Sequence, residues 1–175
     1  GRIGKRTAEI AAALGMRCIG YSRHGVNHPQ VESVTLPELL AQSDVLSLHC
    51  PLTEENYHLI NQDTIRKMKD EVILVNTSRG ALIKTDDLIA GIRSRKFFGV
   101  GLDVYEEETN NVFENREDDF LEHSTTARLL SFPNVIVTSH QGFLTEEALA
   151  AISRTTLQNA MDFKNAAVNP VNQVK

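Results

Sequence analysis

Three residues along the chain have the chemistry of a substrate site: Arg79, Glu108 and His140, each a few residues beyond a short apolar run. A guanidinium matches both oxygens of a carboxylate, and a histidine can act as an acid or a base near neutral pH. A nearby carboxylate raises the pKa of a histidine and fixes its orientation. The set therefore indicates a site that binds a carboxylate and moves a proton.

Each of these residues also has an ordinary structural interpretation. Arg79 alone would more often be a surface arginine, and His140 alone would more often be a hydrogen-bonded structural histidine. Glu106 and Glu107 flank Glu108, so spacing alone does not identify the functional carboxylate. The order of the three residues at successive predicted strand ends is what favours the catalytic interpretation.

The elements that would position these residues alternate along the chain. Apolar periodicity predicts helices over residues 2–14, 36–42, 63–68, 85–95 and 145–163. It predicts strands over residues 16–21, 45–48, 72–75, 97–102 and 135–137. Thr35, Thr85 and Thr145 are the expected N-caps. This pattern predicts an α/β fold, a Rossmann-type doubly wound parallel sheet, which binds ligands beyond the carboxyl ends of its strands.

The alternation is interrupted by a polar segment, residues 106–131. Eight carboxylates and one base, Arg116, lie between Glu106 and Glu122. Charge blocks of this kind are usually solvated, and a long loop in a compact domain is usually functional or mobile. We therefore expect a loop here.

The start of the chain, Gly1-Arg2-Ile3-Gly4, matches the last four positions of the G-x-G-x-x-G motif. Those glycines allow a tight turn, close approach of the backbone to a pyrophosphate, and helix packing on the sheet. The helix N-terminus then presents N–H groups to the phosphates. Because the first glycine and the preceding strand are not in the chain, we expect a domain whose first strand is truncated.

Ser22 lies at the end of the next predicted strand, where an NAD site normally carries Asp or Glu on the ribose 2′-hydroxyl. Ser22 followed by Arg23 removes that carboxylate and adds a cation, which could pair with a 2′-phosphate. This predicts that NADP is tolerated or preferred. The alternative is that Arg23 points to solvent and NAD binds without the carboxylate.

Composition narrows the possible partners. The net charge of −5 and the lack of a basic patch argue against nucleic acid, and no apolar run is long enough for a membrane helix. Cys18 and Cys50 have neither disulfide nor metal spacing, which predicts buried thiols in a reducing, cytoplasmic compartment. No metal site is expected. The remaining histidines follow no ligand spacing and are expected at the surface or in loops: His24, His28, His58 and His123.

Several segments together strongly resemble one family. They are GRIG at residues 1–4, SDVLSLHCPLTEENYHLIN, VNTSRGALI, GLDVYEEE and TSHQGFLTEEAL. They resemble the D-isomer-specific 2-hydroxyacid dehydrogenases over nearly the whole chain, and the acidic segment after Glu108 resembles the longer loop of the fermentative D-lactate branch. The resemblance implies hydride transfer between NAD(P)H and a small 2-keto acid, expected to be pyruvate.

The resemblance also implies roles for individual residues. Arg79 would bind the substrate carboxylate, and His140 would donate the proton to the keto oxygen. Glu108 would hydrogen-bond His140 and keep it protonated, while Asp103 would contact the nicotinamide carboxamide. Gly142, where relatives often carry alanine, would lie at the cofactor. The other implied cofactor contacts run from the pyrophosphate through the adenosine to the nicotinamide: Gly1, Arg2, Ile3, Ser22, Arg23, His49, Cys50, Pro51, Thr77 and Ser78.

The family's organisation implies that residues 1–150 form a truncated NAD(P)-binding domain. Residues 151–175 would be a helix end and tail returning to a missing substrate domain. Without that domain, water is not excluded and the substrate is poorly held, so the chain alone is expected to be inactive. A homodimer is expected. The alternatives are a glyoxylate or hydroxypyruvate reductase, slightly favoured by Ser22-Arg23, and an NAD(H)-sensing corepressor-like scaffold.

Overall fold

The computed structural model describes residues 1–106, 125–167 and 170–172 of the chain. They divide into two compact units, Gly1–Ser139 and His140–Lys175. The first unit contains parallel β-sheet and short helices, and the second contains one long helix. In this described part of the chain, no helix combines the length and the apolar character that crossing a membrane requires.

The elements of the first unit alternate as the sequence predicts. Its helices are α1 (Arg2–Ala13), α2 (Leu36–Gln42), α3 (Gln62–Lys67), α4 (Thr85–Arg93) and α5 (Thr125–Leu130). Its strands are β1 (Cys18–Gly20), β2 (Val31–Ser33), β3 (Val45–Leu48), β4 (Val72–Asn76), β5 (Phe97–Leu102) and β6 (Val135–Val137). Single 3₁₀ turns cover Glu54–Asn56 and Gly80–Leu82. The second unit contains α6 (Glu146–Lys164) and a 3₁₀ turn at Pro170–Asn172.

The described strands pair only in parallel. Strands β3, β4, β5 and β6 form one sheet in that order, and β1 pairs with β2 in a separate two-stranded sheet. Parallel strands joined by helical crossovers define a Rossmann-type α/β fold. The predicted fold class is confirmed.

The core lies between one face of the four-stranded sheet and helices α2 to α5. Alternate strand residues such as Leu46, Leu74 and Val100 are buried, as strand geometry requires. They pack in one cluster with helix residues that include Ile65 and Leu88. Burying a side chain of this size contributes about 1.5–3 kcal/mol, so this face dominates the stability of the first unit.

Local sequence explains most element boundaries and exposes three errors of prediction. Thr35 caps α2 in a capping box with Glu38, and Thr145 accepts from the Ala148 N–H, as expected. Thr85 is not an N-cap, since that position is Lys84. Two short elements were not predicted: β2, in which two of the three residues are polar, and α5, which lies within the segment expected to be a loop.

Candidate active site

The turn that carries Arg79 is shaped by Asn76, the last residue of β4, which is fully buried. The Asn76 side-chain amide donates to the Arg79 carbonyl at 2.8 Å, and its carbonyl accepts from the Ser78 N–H at 3.0 Å. An asparagine that closes a turn on its own backbone in this way is a common turn-forming device. The backbone position of Arg79 is therefore set by a residue of the sheet.

The Arg79 side chain is exposed beyond this turn. One guanidinium nitrogen donates to the Ser78 carbonyl at 2.6 Å. Within residues 1–106, 125–167 and 170–172, no carboxylate pairs with it. Because a guanidinium offers five N–H donors, Arg79 keeps donors with which to bind an anionic group.

Gly80 is buried directly beneath the segment that follows β5. A Cβ atom at this position would overlap the carbonyl oxygen of Tyr105 and crowd the backbone nitrogen of Glu106. Only glycine therefore fits without displacing backbone. The close contact fixes the Arg79 turn against the chain that leads towards Glu108, which itself lies outside the described residues.

A second contact between the same segments joins Glu106, His58 and Thr85. One Glu106 oxygen lies 2.5 Å from His58 Nε2, and the other accepts from the Thr85 backbone N–H at 3.1 Å and its hydroxyl at 2.9 Å. Burial acts to raise the pKa of Glu106, but the bonds from His58 and Thr85 outweigh it and hold that pKa below its ordinary value. Glu106 is therefore charged at neutral pH.

His58 also brings its own backbone to the Arg79 turn. Its N–H donates to the Ala81 carbonyl at 2.9 Å, and Ile60 forms a parallel bridge with Ile83. His58 lies in a loop, as expected, but it is hydrogen-bonded there and only 24% exposed. His28 also lies in a loop, where its side chain is 9% exposed beside Glu9.

The carboxyl ends of β4, β5 and β6 are tied together at Asp103. Its backbone N–H donates to the Asn76 carbonyl at 2.9 Å. The Thr138 hydroxyl donates to Asp103 Oδ1 at 2.5 Å. Thr138 was not predicted as a site residue, although its place at the end of β6 is the position from which a side chain can reach Asp103. Asp103 is thus oriented by a neighbouring strand end.

The turn after β3 lies next to the Arg79 turn. The Ser78 hydroxyl donates to the Cys50 carbonyl at 2.5 Å, and Ser47 Oγ lies 2.9 Å from His49 Nε2. Burial lowers the pKa of His49, so its imidazole is neutral at neutral pH. Burial raises the pKa of the Cys50 thiol, which keeps it protonated. Cys50 and Cys18 are half-buried free thiols, close to the predicted state.

Helix α1 begins beside the turn that follows β3. Gly1 is its N-cap, no side chain caps it, and its first turn contains no acidic residue. A Cβ atom built at Gly4 would lie 3.1 Å from the Cβ of His49, so the first turn of α1 packs closely on the turn after β3. A helix start without acidic residues favours a phosphate group through its N–H groups and its dipole. Gly4 thus occupies the packed position expected of the motif.

Beyond β1, Arg23 is exposed but does not simply point to solvent. Its guanidinium forms an ion pair with Glu55, which lies in the 3₁₀ turn after β3. The Arg23 and Glu55 side chains are 55% and 69% exposed. Ser22 starts the turn, and its carbonyl accepts from the Gly25 N–H at 2.9 Å. The sequence suggested either that Arg23 pairs with a 2′-phosphate or that it points to solvent. Neither interpretation included its ion pair with Glu55.

His140 opens the second unit, two residues beyond Thr138. Its φ of 52° lies in the left-handed region that residues other than glycine rarely adopt. Such backbone strain is often found at functional sites. Gly142 follows in the same exposed segment, ahead of α6.

Within the first unit, the start of α1 contacts the turn after β3 at His49, that turn contacts Ser78, and Asp103 contacts the end of β4. A parallel sheet with an uncapped glycine-flanked helix at its carboxyl edge defines the class of dinucleotide-binding domains. Residues 1–142 match the family model described as "D-isomer specific 2-hydroxyacid dehydrogenase, NAD binding domain". The chain belongs to this family.

Similar proteins fall in the same family. The chain is 42% identical to the D-lactate dehydrogenase of Escherichia coli over 97% of the chain and 53% of that protein. It is 44% identical to 2-hydroxyacid dehydrogenase A of Aspergillus oryzae over 93% of the chain and 48% of that protein. The chain therefore spans about half the length of the curated relatives it matches.

Solved structures agree with this assignment. A D-lactate dehydrogenase from Treponema pallidum superimposes with a TM-score of 0.90 at 32% identity, covering 100% of this chain and 53% of that one. A D-lactate dehydrogenase from Aquifex aeolicus, in complex with NAD and lactic acid, gives 0.85 at 34% identity, covering 95% and 52%. The close packing of Gly4 on His49 and the absence of acidic residues in the first turn of α1 fit the binding of NAD.

Proposed function

We propose that this chain is the cofactor-binding part of an NAD-dependent D-2-hydroxyacid dehydrogenase that reduces pyruvate to D-lactate. The proposal depends mainly on one observation, the way in which the Arg79 turn is held and its guanidinium is exposed. Its backbone is held by buried Asn76 and Gly80, and its guanidinium has no carboxylate partner among the described residues. An exposed guanidinium on a rigid turn beside a dinucleotide site is suited to hold a small carboxylic acid.

The proposed mechanism assigns one task to each residue. Arg79 binds the substrate carboxylate through paired N–H donors and so orients the keto group. The His140 imidazole donates its proton to the keto oxygen, and Glu108 keeps that imidazole charged and oriented. Asp103, which accepts a hydrogen bond from the Thr138 hydroxyl, contacts the nicotinamide carboxamide. When bound, the dihydronicotinamide supplies the hydride.

The main test is turnover by the full-length protein that carries this domain. Loss of NADH absorbance would be followed with pyruvate, glyoxylate, hydroxypyruvate and a bulkier aromatic 2-keto acid. We expect the highest kcat/KM with pyruvate, and chiral analysis should give only D-lactate. A clear preference for glyoxylate or hydroxypyruvate would replace the proposal by the reductase alternative. Nucleotide binding without turnover of any acid would favour the corepressor-like scaffold.

A variant of Arg79 tests the observation on which the proposal depends. Arg79→Lys keeps the charge but loses the paired geometry, so we expect a KM for pyruvate raised by at least about tenfold. Affinity for NADH should change little, because Arg79 is assigned to the substrate. Arg93→Lys, at an exposed position in the last turn of α4, is the matched control. An unchanged KM in Arg79→Lys would contradict the assignment.

We further propose that NADP is tolerated beside NAD. The support is the absence of a carboxylate at Ser22 and the presence of Arg23 at the end of β1. Comparison of kcat/KM for NADH and NADPH on the full-length protein is the measurement. A strong preference for NADH would contradict the proposal.

The remaining proposals concern the whole protein. We propose that residues 1–150 belong to the cofactor domain and that residues 151–175 lead back to a substrate domain. The chain alone is then inactive, and the whole protein is a cytoplasmic homodimer. The free thiols Cys18 and Cys50 support a reducing compartment. Pyruvate reduction by the isolated chain would contradict the need for a second domain.

A further inference from the structure

The ion pair between Arg23 and Glu55 joins the turns that follow two strands of different sheets. Arg23 follows β1, and Glu55 is 32 positions further along, after β3. The end of β1 is where a dinucleotide site normally supplies a carboxylate for the ribose 2′-hydroxyl. Here Ser22 occupies that place. The pair therefore brings a carboxylate from another part of the chain to the turn that lacks its own.

The turn that carries Glu55 is well ordered by Asn56. The Asn56 side chain accepts from the Thr53 N–H at 2.7 Å and donates to the Pro51 carbonyl at 2.8 Å. Pro51 and Cys50 belong to the turn that reaches Ser78. The backbone of Glu55 is thus held beside the turn after β3, while its carboxylate remains exposed and can bind a ligand.

We propose that Glu55, through its pairing with Arg23, is the residue that discriminates between NAD and NADP. This inference rests on the proposed dehydrogenase function. A ribose 2′-hydroxyl can donate a hydrogen bond to the Glu55 carboxylate, and Arg23 stays paired and neutralised. A 2′-phosphate must instead take Arg23 away from Glu55, and its negative charge then lies beside an uncompensated carboxylate.

The pair predicts opposite effects for the two cofactors when Glu55 loses its charge. In Glu55→Gln, Arg23 is released to the 2′-phosphate and the repulsion disappears, so NADPH binding should tighten about tenfold. NADH loses one charge-assisted acceptor, so its binding should weaken about threefold. The ratio of the two dissociation constants should therefore move by more than tenfold towards NADPH. The wild-type protein should use NADPH, but less well than NADH.

The test measures dissociation constants of NADH and NADPH by nucleotide fluorescence on the full-length protein, in the absence of any keto acid. The same titration with 5′-AMP and with its 2′-phosphorylated form isolates the ribose contact. Glu54→Gln is the matched control, since it is the exposed neighbour and carries the same change in charge. We expect the control to shift the ratio of the NADH and NADPH dissociation constants by less than twofold.

A second pair of variants separates the ion pair from a general charge effect. Arg23→Gln should weaken NADPH binding, and the double variant Arg23→Gln with Glu55→Gln should lose most of the gain seen in Glu55→Gln. The proposal is overturned if Glu55→Gln leaves the ratio unchanged, if Glu54→Gln shifts it equally, or if Arg23→Gln does not diminish the gain. Normal discrimination with no reduction of any keto acid would instead refute only the proposed function. Failure to bind either nucleotide would refute both.

Discussion

The turn that carries Arg79 and the turn that carries Arg23 both follow parallel strands, yet they are held by different kinds of contact. The Arg79 turn depends on a fully buried asparagine, on a glycine that touches backbone, and on a Glu106–His58 pair about 25% exposed. The Arg23 turn depends on an ion pair more than half exposed. One end of the site is built to keep its geometry, and the other can exchange one polar partner for another.

This difference has a physical basis in solvation. Buried polar groups must keep their partners because losing one costs the full desolvation penalty. Exposed ion pairs contribute little because water replaces either partner. We therefore expect substitutions around Arg79 to change stability, and substitutions around Arg23 to change cofactor choice with little effect on stability.

The largest effect is expected for Gly80→Ala. The added methyl group would overlap the Tyr105 carbonyl, so backbone must move in both segments. We expect a loss of about 3 kcal/mol in the free energy of unfolding, measured by denaturant titration. Gly99→Ala is the control, because its nearest neighbour would be the Asn134 oxygen at 3.9 Å. Equal losses in the two variants would show that the close contact is not the cause.

Asn76→Ala should have the next largest effect. It removes both bonds that shape the turn and leaves the Ser78 N–H and the Arg79 carbonyl without this partner. We expect a loss of about 2 kcal/mol in stability, together with a raised KM for the keto acid. Thr77→Ala, at an exposed position in the same turn, controls for stability. A stable variant with a normal KM would mean that the turn holds its shape without Asn76.

Glu106→Gln tests the same region through pH. Because the pKa of Glu106 is lowered in the folded protein, its contribution to stability is present above the ordinary value of 4.5 and is lost as pH falls through the lowered pKa. We expect the wild type to lose stability in that acidic window and the variant to be less stable by about 1–2 kcal/mol at neutral pH.

The control for Glu106→Gln is Glu71→Gln, since Glu71 is exposed. Thermal unfolding of the three proteins across the acidic range is the measurement. If the stability of the Glu106 variant falls with pH as steeply as that of the wild type, the His58–Glu106 pair does not contribute as described.

The smallest effect on stability is expected at the other end of the site, for Glu55→Gln. An exposed ion pair is worth less than about 1 kcal/mol, so its unfolding curve should nearly coincide with that of Glu54→Gln. A loss as large as that of Asn76→Ala would remove the distinction between the two turns.

Local patterns predicted the fold well because they record burial within single elements. The apolar runs of β3 and β5 have the predicted bounds, and the Thr35 capping box marks the start of α2. The patterns failed at β2, where two of the three residues are polar, and at α5, which lies in the polar segment expected to be a loop. They also failed at Thr85, where a hydroxyl expected to cap a helix is used by Glu106 instead.

The sequence predicted that side chains of the candidate site follow strands, but it did not predict the contacts that hold them. Arg79 and Asp103 follow predicted strands, so their placement at one edge follows from a parallel sheet. The pairing of His58 with Glu106 spans 48 positions and that of Arg23 with Glu55 spans 32. No local sequence pattern indicates either pair, because both depend on how turns that are distant in the chain come together. Long-range polar pairs of this kind need the three-dimensional structure.

The position of β4 between β3 and β5 has a consequence for amide hydrogen exchange. Strand β4 pairs with both neighbours along its length, and Asn76 at its end is fully buried. Core strands exchange their amides only when the whole unit opens, so the amides of β4 should be among the slowest in the first unit. The Ser78 N–H, which is bonded to Asn76, should share this protection, and deuterium uptake there would measure directly how firmly the Arg79 turn is held.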